Sequence, residues 1–421
     1  MANGSDRPPS VDRLARSMAG IGLPHPMLVD AARTAIDAGE PDTATGLAEA
    51  MARRLLRPVV NGTGVLLHTN LGRAPMAWDQ PERYTNLELD LVTGDRGSRM
   101  ATAPELIARA CGAEAAIVVN NCAAAVLLVL AGLADGRDVV VSRGELVEIG
   151  GGFRVPEVMA RSGARLIEVG TTNRTRAGDF ERAVSDPAND VGLIMQVHQS
   201  NYRIVGFTER TRTAELRSLG PPVAVDIGSG LLDSRCGWLD GGPPSWLAEE
   251  PAARQTLEAG AGLVTFSGDK LFGGPQAGII AGRADLVAAC AGHPLARALR
   301  PGALVLGALQ ATALAYLRGD GGAIPFWRMA TLSPAELRGR AEQIGVGKIV
   351  DVSSTPGGGT LPGVEIESVG LAAAGDHTSA LRERARPVIA RIIGNDTAID
   401  LRTVHPDDDT EVATALADIG G

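Results

Sequence analysis

Val264-Thr265-Phe266-Ser267-Gly268-Asp269-Lys270-Leu271-Phe272-Gly273-Gly274-Pro275-Gln276-Ala277-Gly278 decides what kind of protein this chain can be. A β-branched apolar run ends at Phe266 and a polar Ser-Gly-Asp-Lys turn follows. The glycines beyond it let the backbone come close to something bulky before a further strand over 278–281. Composition adds weight to Lys270, because among 40 basic residues only Lys270 and Lys348 are lysines. Arginine replaces lysine on most surfaces but cannot lend a neutral amine to covalent chemistry, so a retained lysine points to a needed amine. A Walker-type phosphate loop is excluded, since Leu271 follows the lysine and the upstream glycine spacing is wrong.

Working outward, short β-branched runs alternate with helical segments: 115–119, 138–141, 164–169, 191–197, 223–226 and 263–266. Continuous apolar strands separated by helices predict a parallel sheet covered on both faces, with its ligand beyond the carboxyl ends of the strands. The polar residues after those runs are the candidates: Asn120-Asn121, Ser142-Arg143, Thr171-Thr172, His198, Asp226 and Ser267 to Lys270. Lysine presentation of this kind suits pyridoxal phosphate. That cofactor also needs a carboxylate against its ring nitrogen, and Asp226 ends a strand 44 residues before Lys270. Asn121-Cys122 opens a helix of small residues whose N-terminal N–H groups can seat a phosphate, or can simply be capped by the asparagine. His198 reads equally as a cofactor contact or as a hydrogen-bonded structural histidine. Arg73, Arg96 with Arg99, and Arg297 with Arg300 form three groups in polar contexts. The spacing of three predicts that Arg297 and Arg300 share one helix face, where two guanidinium forks can hold an oxyanion or equally form a solvated basic face.

The rest of the chain frames this domain. After a polar leader to about Arg7, apolar spacing predicts helices over 24–38 and 43–56, hence a short helical N-terminal unit over residues 1–57. A large cofactor-binding domain spans 58–318 and closes with a helix over 303–317. A small C-terminal α/β domain spans 319–421, with strands over 348–352, 363–367 and 398–404 and a helix over 378–390. The four cysteines are far apart and form no C-x-x-C pair, so neither a disulfide framework nor a metal site is expected. No signal peptide and no membrane-length apolar run is evident, and the expected location is the cytoplasm. A net charge of −9 is the wrong sign for a protein that coats nucleic acid, so any such partner must be gripped locally.

Together these stretches resemble the bacterial selenocysteine synthase family, the L-seryl-tRNA(Sec) selenium transferases. The resemblance is carried by residues 57–64 with 68–73, 94–99, 145–151, 170–175, 197–202, 226–230, 267–275, 293–300 and 401–404. It implies a homo-oligomer of the pyridoxal phosphate-dependent aminotransferase type I fold, built as dimers or a ring of dimers. It also implies conversion of seryl-tRNA(Sec) to selenocysteinyl-tRNA(Sec) with selenophosphate, through an aminoacrylyl intermediate. By motif, Lys270 is the cofactor-bonding lysine, Asp226 the ring-nitrogen partner and Asp269 a catalytic neighbour, with Asn121, Cys122, His198 and Ser267 around the cofactor. Arg73, Arg99, Arg297 and Arg300 become the anion-binding set, and Thr171, Thr172 and Asn201 line the substrate site. The N-terminal unit would contact tRNA, although residues 1–58 hold seven arginines and seven acids. Two rivals remain at this stage: a related lyase or transferase acting on a small amino acid or phosphorylated amino-sugar acid, and a non-catalytic tRNA-binding protein. Retention of Lys270 opposes the second.

Overall fold

The computed structural model describes residues 10–149, 152–202 and 204–420. The polar leader through Arg7 and the Gly150-Gly151 pair of the 145–151 motif lie outside the described residues. The chain divides into two compact units, Met1–Val59 and Val60–Gly421.

In the first unit, helices span Val11–Ser17, His25–Asp37 and Ala44–Arg54. Ser10 caps the first, which the sequence reading did not include, by accepting from the Arg13 N–H at 3.3 Å. Small residues at helical spacing (Ala31, Ala32, Ala35, Ala44, Ala48) let the helices pack closely around Leu28 and Met18.

The second unit is organised by a seven-stranded sheet. Its strands, in chain order, are β1 (Ala115–Val119), β2 (Asp138–Ser142), β3 (Arg165–Val169), β4 (Val191–Val197), β5 (Val223–Gly228), β6 (Leu263–Ser267) and β7 (Gly278–Gly282). They lie in the order β1-β7-β6-β5-β4-β2-β3. The expected strands are present, but the sheet is not wholly parallel: β7 runs antiparallel to both β1 and β6. The cause is the connection. The chain returns from β6 through residues 268–277 without a crossover helix, and so short a return permits only the antiparallel direction. Core residues cover both faces. Phe266, Ile279 and Ile107 lie in one cluster, and Val119, Leu128 and Leu193 in the other.

Beyond the helix Ala303–Arg318, an antiparallel sheet pairs Lys348–Ser354, Ile366–Ala374, Asp396–Asp400 and Arg391–Ile393 in that order. Three expectations fail here. The helix placed over 378–390 stops at Glu383, and Val388–Ile389 instead pair in parallel with Val60–Asn61, because Pro387 cannot continue a helix. The strand placed over 363–367 begins only at Ile366. The strand placed over 398–404 ends at Asp400, where Arg402 turns inward and donates to the Met329 and Glu367 carbonyls at 2.8 and 2.6 Å.

Candidate active site

The loop after β6 is pinned at both ends before any side chain is considered. Gly268 N–H donates to the Ala277 carbonyl at 2.9 Å, Leu271 N–H to Ser229 at 2.8 Å and Gly273 N–H to Lys270 at 2.8 Å. Behind it, the buried Tyr316 hydroxyl accepts from Trp327 Nε1 at 2.6 Å and reaches the Phe272 carbonyl at 2.9 Å. Lys270 is thereby held in the interior, 6% exposed, with its Nζ donating to the Gly359 carbonyl at 3.0 Å. A lysine that keeps so little water needs a partner for its amine.

Asp226 arrives from the neighbouring strand. The β5–β6 register shifts between Asp226 and Gly228, a bulge of the kind that re-aims side chains beside active sites. Its Oδ1 accepts from Thr265 Oγ1 at 3.0 Å, Gly228 N–H at 3.1 Å and Cys122 Sγ at 3.4 Å. Burial pushes the Asp226 carboxyl above its ordinary range, while Thr265 and the Lys270 charge pull it back. Burial, and then the Asp226 charge, push the Cys122 thiol well up, so it stays a neutral donor. Asn121 caps the helix Cys122–Ala134 by accepting from Ala124 N–H at 2.9 Å, leaving the Cys122 and Ala123 N–H groups at the helix tip. Beside them, Arg73 Nη1 donates to Asp269 Oδ2 at 2.7 Å.

Arg73, Asn121, Cys122, Asp226, Ser267, Asp269 and Lys270 all line one cavity of about 210 Å³. The site is therefore a lysine amine, a buried carboxylate and a helix tip around one space. The donor set fits pyridoxal phosphate: an amine for its aldehyde, an acceptor for its ring N–H and backbone N–H groups for its phosphate. Unpaired buried polar atoms nearby agree, since Ser229 Oγ, Thr360 Oγ1 and Arg73 Nε have no partner among the described residues.

Other expected residues fall elsewhere. Thr171, Thr172 and His198 line a neighbouring cavity of about 490 Å³ with Glu145, Arg210 and Glu250. His198 Nε2 lies 3.7 Å from Glu250, whose side chain is 3% exposed, and the His198 backbone N–H donates to the Asp226 carbonyl at 2.8 Å. Asn201 is exposed, and its amide donates to the Glu148 carbonyl at 3.1 Å. Arg99 pairs with Glu88 at 2.9 Å, and Arg300 approaches the same carboxylate at 3.8 Å. The Arg297 side chain is exposed and makes no ion pair or hydrogen bond with the described residues. The expectation that Arg297 and Arg300 share one helix face is corrected. That helix is only Pro294–Ala298 with Leu299 as its C-cap, so Arg300 lies beyond its end. Sequence reasoning missed Thr265, Gly359 and Glu88. Thr265, a polar residue inside an otherwise apolar strand, was the one signal available.

Among the described residues no helix is long and apolar enough to cross a membrane, and no group of three or more His, Cys, Asp or Glu is placed to hold a metal ion. A sequence model of a family described as L-seryl-tRNA selenium transferase matches residues 59–405. The L-seryl-tRNA(Sec) selenium transferase of Moorella thermoacetica is 47% identical, over 86% of this chain and 82% of its own. That of Geobacter sulfurreducens is 42% identical, over 98% of each chain. A solved structure of D-glucosaminate-6-phosphate ammonia-lyase superposes with a TM-score of 0.58 at 20% identity, covering 86% of this chain and 96% of that one, a likeness of fold.

Proposed function

The chain belongs to the L-seryl-tRNA(Sec) selenium transferases, pyridoxal phosphate enzymes that turn L-seryl-tRNA(Sec) into L-selenocysteinyl-tRNA(Sec), and from that premise we propose how its residues divide the work. The observation that carries the proposal is the meeting of the Lys270 amine, the Asp226 carboxylate and the tip of the Cys122–Ala134 helix around one cavity.

Bound there, pyridoxal phosphate supplies an aldehyde that condenses with primary amines and a protonated ring that withdraws electrons from the serine Cα. Asp226, oriented by donors from Thr265, Gly228 and Cys122, pairs with the ring nitrogen. The helix tip at Cys122 receives the phosphate, with Asn121 and Ser267 beside it. The Lys270 amine takes the proton from the serine Cα, and the Gly359 carbonyl gives that amine an acceptor when it is free. Asp269 fixes Arg73 at the cavity wall. His198 supports Asp226 from behind through its backbone, and Thr171, Thr172 and Asn201 belong to the approach of the seryl end.

Selenophosphate is the selenium donor in this reading. The serine hydroxyl leaves as water, a Cβ–Se bond takes the place of the Cβ–O bond, and water cleaves the Se–P bond so that phosphate departs. Arg73, Arg99, Arg297 and Arg300 hold the donor's oxygens, for which guanidinium forks suit better than point charges. Residues 1–57 contact the tRNA, 58–318 hold the cofactor and 319–421 form the small domain that brings Gly359 to Lys270. The enzyme acts in the cytoplasm as a homo-oligomer of dimers or a ring of dimers. A small-molecule lyase is set aside: the ammonia-lyase shares the fold at 20% identity, whereas the Geobacter sulfurreducens selenium transferase matches at 42% identity along 98% of both chains.

The test is chemical. Borohydride reduction of the holoenzyme followed by peptide mapping is expected to find the cofactor on the peptide containing Lys270 and none on that of the exposed Lys348. Label on Lys348, or none on either lysine, defeats the assignment.

A further inference from the structure

This inference rests on the reading of Arg99 and Arg300 as donor-binding arginines and concerns what holds them. Glu88 Oε1 accepts from Arg99 Nε at 2.9 Å and lies 2.9 Å from Nη2 of the same guanidinium, while Oε2 accepts from Arg96 Nη2 at 2.9 Å. Arg300 Nη1 comes to 3.8 Å from the same Oε1. A local turn fixes Glu88 against its own arginines: the Glu88 carbonyl accepts from Gly97 N–H at 2.9 Å, and Leu89 bridges to Arg96. The Arg300 segment is tied to the cofactor cavity, since the Leu299 carbonyl accepts from Asn120 N–H at 3.0 Å, next to Asn121 on the cavity wall.

The arrangement is lopsided in a useful way. Glu88 engages only the Nε–Nη2 edge of Arg99, and Nη1 has no partner among the described residues. Three guanidinium charges face one carboxylate, leaving a surplus of two positive charges, which matches a doubly charged phosphate-type anion. The Glu88 and Arg99 side chains are each 24% exposed and Arg300 28%, so the charges of Arg99 and Arg300 are only partly screened by water and salt, whereas Arg96, 80% exposed, is screened more.

We propose that Glu88 is a positioning residue for the selenium donor: it holds Arg99 and Arg300 together with N–H groups unengaged, so that an incoming phosphate-type dianion meets preassembled donors. Ordering two long arginine side chains at the moment of binding is unfavourable, and a carboxylate that orders them beforehand removes that cost. Bonds from Arg96 and Arg99 hold the Glu88 carboxyl below the usual carboxylate range, so it stays ionised at working pH. A competing role, in which Glu88 occupies the anion's own place, has the opposite sign in experiment.

The test is the dependence of initial rate on selenophosphate in the holoenzyme with seryl-tRNA(Sec). Glu88→Gln is expected to raise the KM for selenophosphate about tenfold, with kcat at saturating donor within about twofold. The visible absorbance of the bound cofactor and the dependence on seryl-tRNA(Sec) stay as in the parent, and the inhibition constant of inorganic phosphate rises by the same factor. In an Arg99→Ala background, Glu88→Gln adds little, because the carboxylate acts through that arginine. Should Glu88→Gln fail to fold, Arg96→Ala, on a side chain 80% exposed, reports on the same carboxylate with a KM rise of about threefold. A lowered KM, or an unchanged one, overturns the proposal. If Arg99→Ala and Arg300→Ala themselves leave the donor dependence unaltered, the donor site is elsewhere and the underlying reading fails. If they shift it and Glu88→Gln does not, only the positioning role fails.

Discussion

Asp226 and Lys270 are fixed by the sheet and are themselves buried at or just beyond strand ends, whereas Arg99 and Arg300 are fixed by a shared counter-ion on segments without regular structure. The first region places its groups by backbone geometry and keeps water away. The second places long charged side chains by ion pairs and stays partly wet. The difference separates two kinds of chemistry. In the proposed reading, proton removal from Cα is served by groups held away from water, and capture of a hydrated anion by charges that solvent can still reach.

The sharpest way to break this contrast is Asp226→Asn, which exchanges the buried carboxylate for a neutral amide of the same shape. Deprotonation of the serine Cα in a single turnover is expected to fall by about 10² to 10⁴, with cofactor still bound. Stability should move the other way. Burial raises the folded-state pKa of Asp226, so the folded apoprotein holds that proton more tightly than the unfolded chain does. Wild-type stability therefore falls as pH rises from the unfolded carboxylate range through the folded pKa, and the variant lacks that fall. The apo Tm of Asp226→Asn is expected to exceed the parent's at neutral pH and to converge with it in acid. A variant less stable than the parent at pH 7, or equally fast in the single turnover, would remove Asp226 from its role.

On the wetter side, Arg300→Ala and Arg297→Ala should leave cofactor binding and the first half-reaction intact and weaken the use of selenophosphate. Loss of one charge-assisted contact costs about 1.5 to 3 kcal/mol, a tenfold to hundredfold shift in donor dependence. Lys at position 300 should restore only part, since it offers no fork. A defect confined to tRNA binding would move these arginines to a nucleic-acid face.

How far each region was legible in the sequence follows the same division. The strands, Lys270, Asp226 and the Asn121–Cys122 helix start could be read because β-branched runs, polar strand-end followers and two surviving lysines are local signals. Glu88 could not be read, because its meaning depends on Arg300 arriving from a distant segment, and neither lies in a periodic element. Arg297 and Arg300 misled for a related reason: a spacing of three is helical only while the helix lasts, and Pro294–Ala298 ends before Arg300. The direction of β7 and the early stop of the helix at Glu383 likewise depended on loop length and on Pro387 rather than on periodicity.

The smallest expected effect on turnover tests whether the dry region owes its rigidity to its own packing. Tyr316→Phe keeps the ring against Trp238 and Phe272 but removes the hydroxyl beneath the lysine loop, leaving Trp327 Nε1 unpaired. Unfolding free energy should drop by about 1 to 3 kcal/mol in denaturant titration, with kcat changed less than about threefold. A large loss of turnover at unchanged stability would instead make the hydroxyl part of the chemistry.

The central claim, that this chain places selenium on a tRNA-linked serine by way of Lys270, is tested most directly by supplying the purified holoenzyme with selenophosphate and either seryl-tRNA(Sec) or free serine. The account predicts selenocysteine attached to tRNA in the first case, none from free serine, and none from either with Lys270→Ala. Equal turnover of free serine, or product formation by the Lys270→Ala variant, would contradict it.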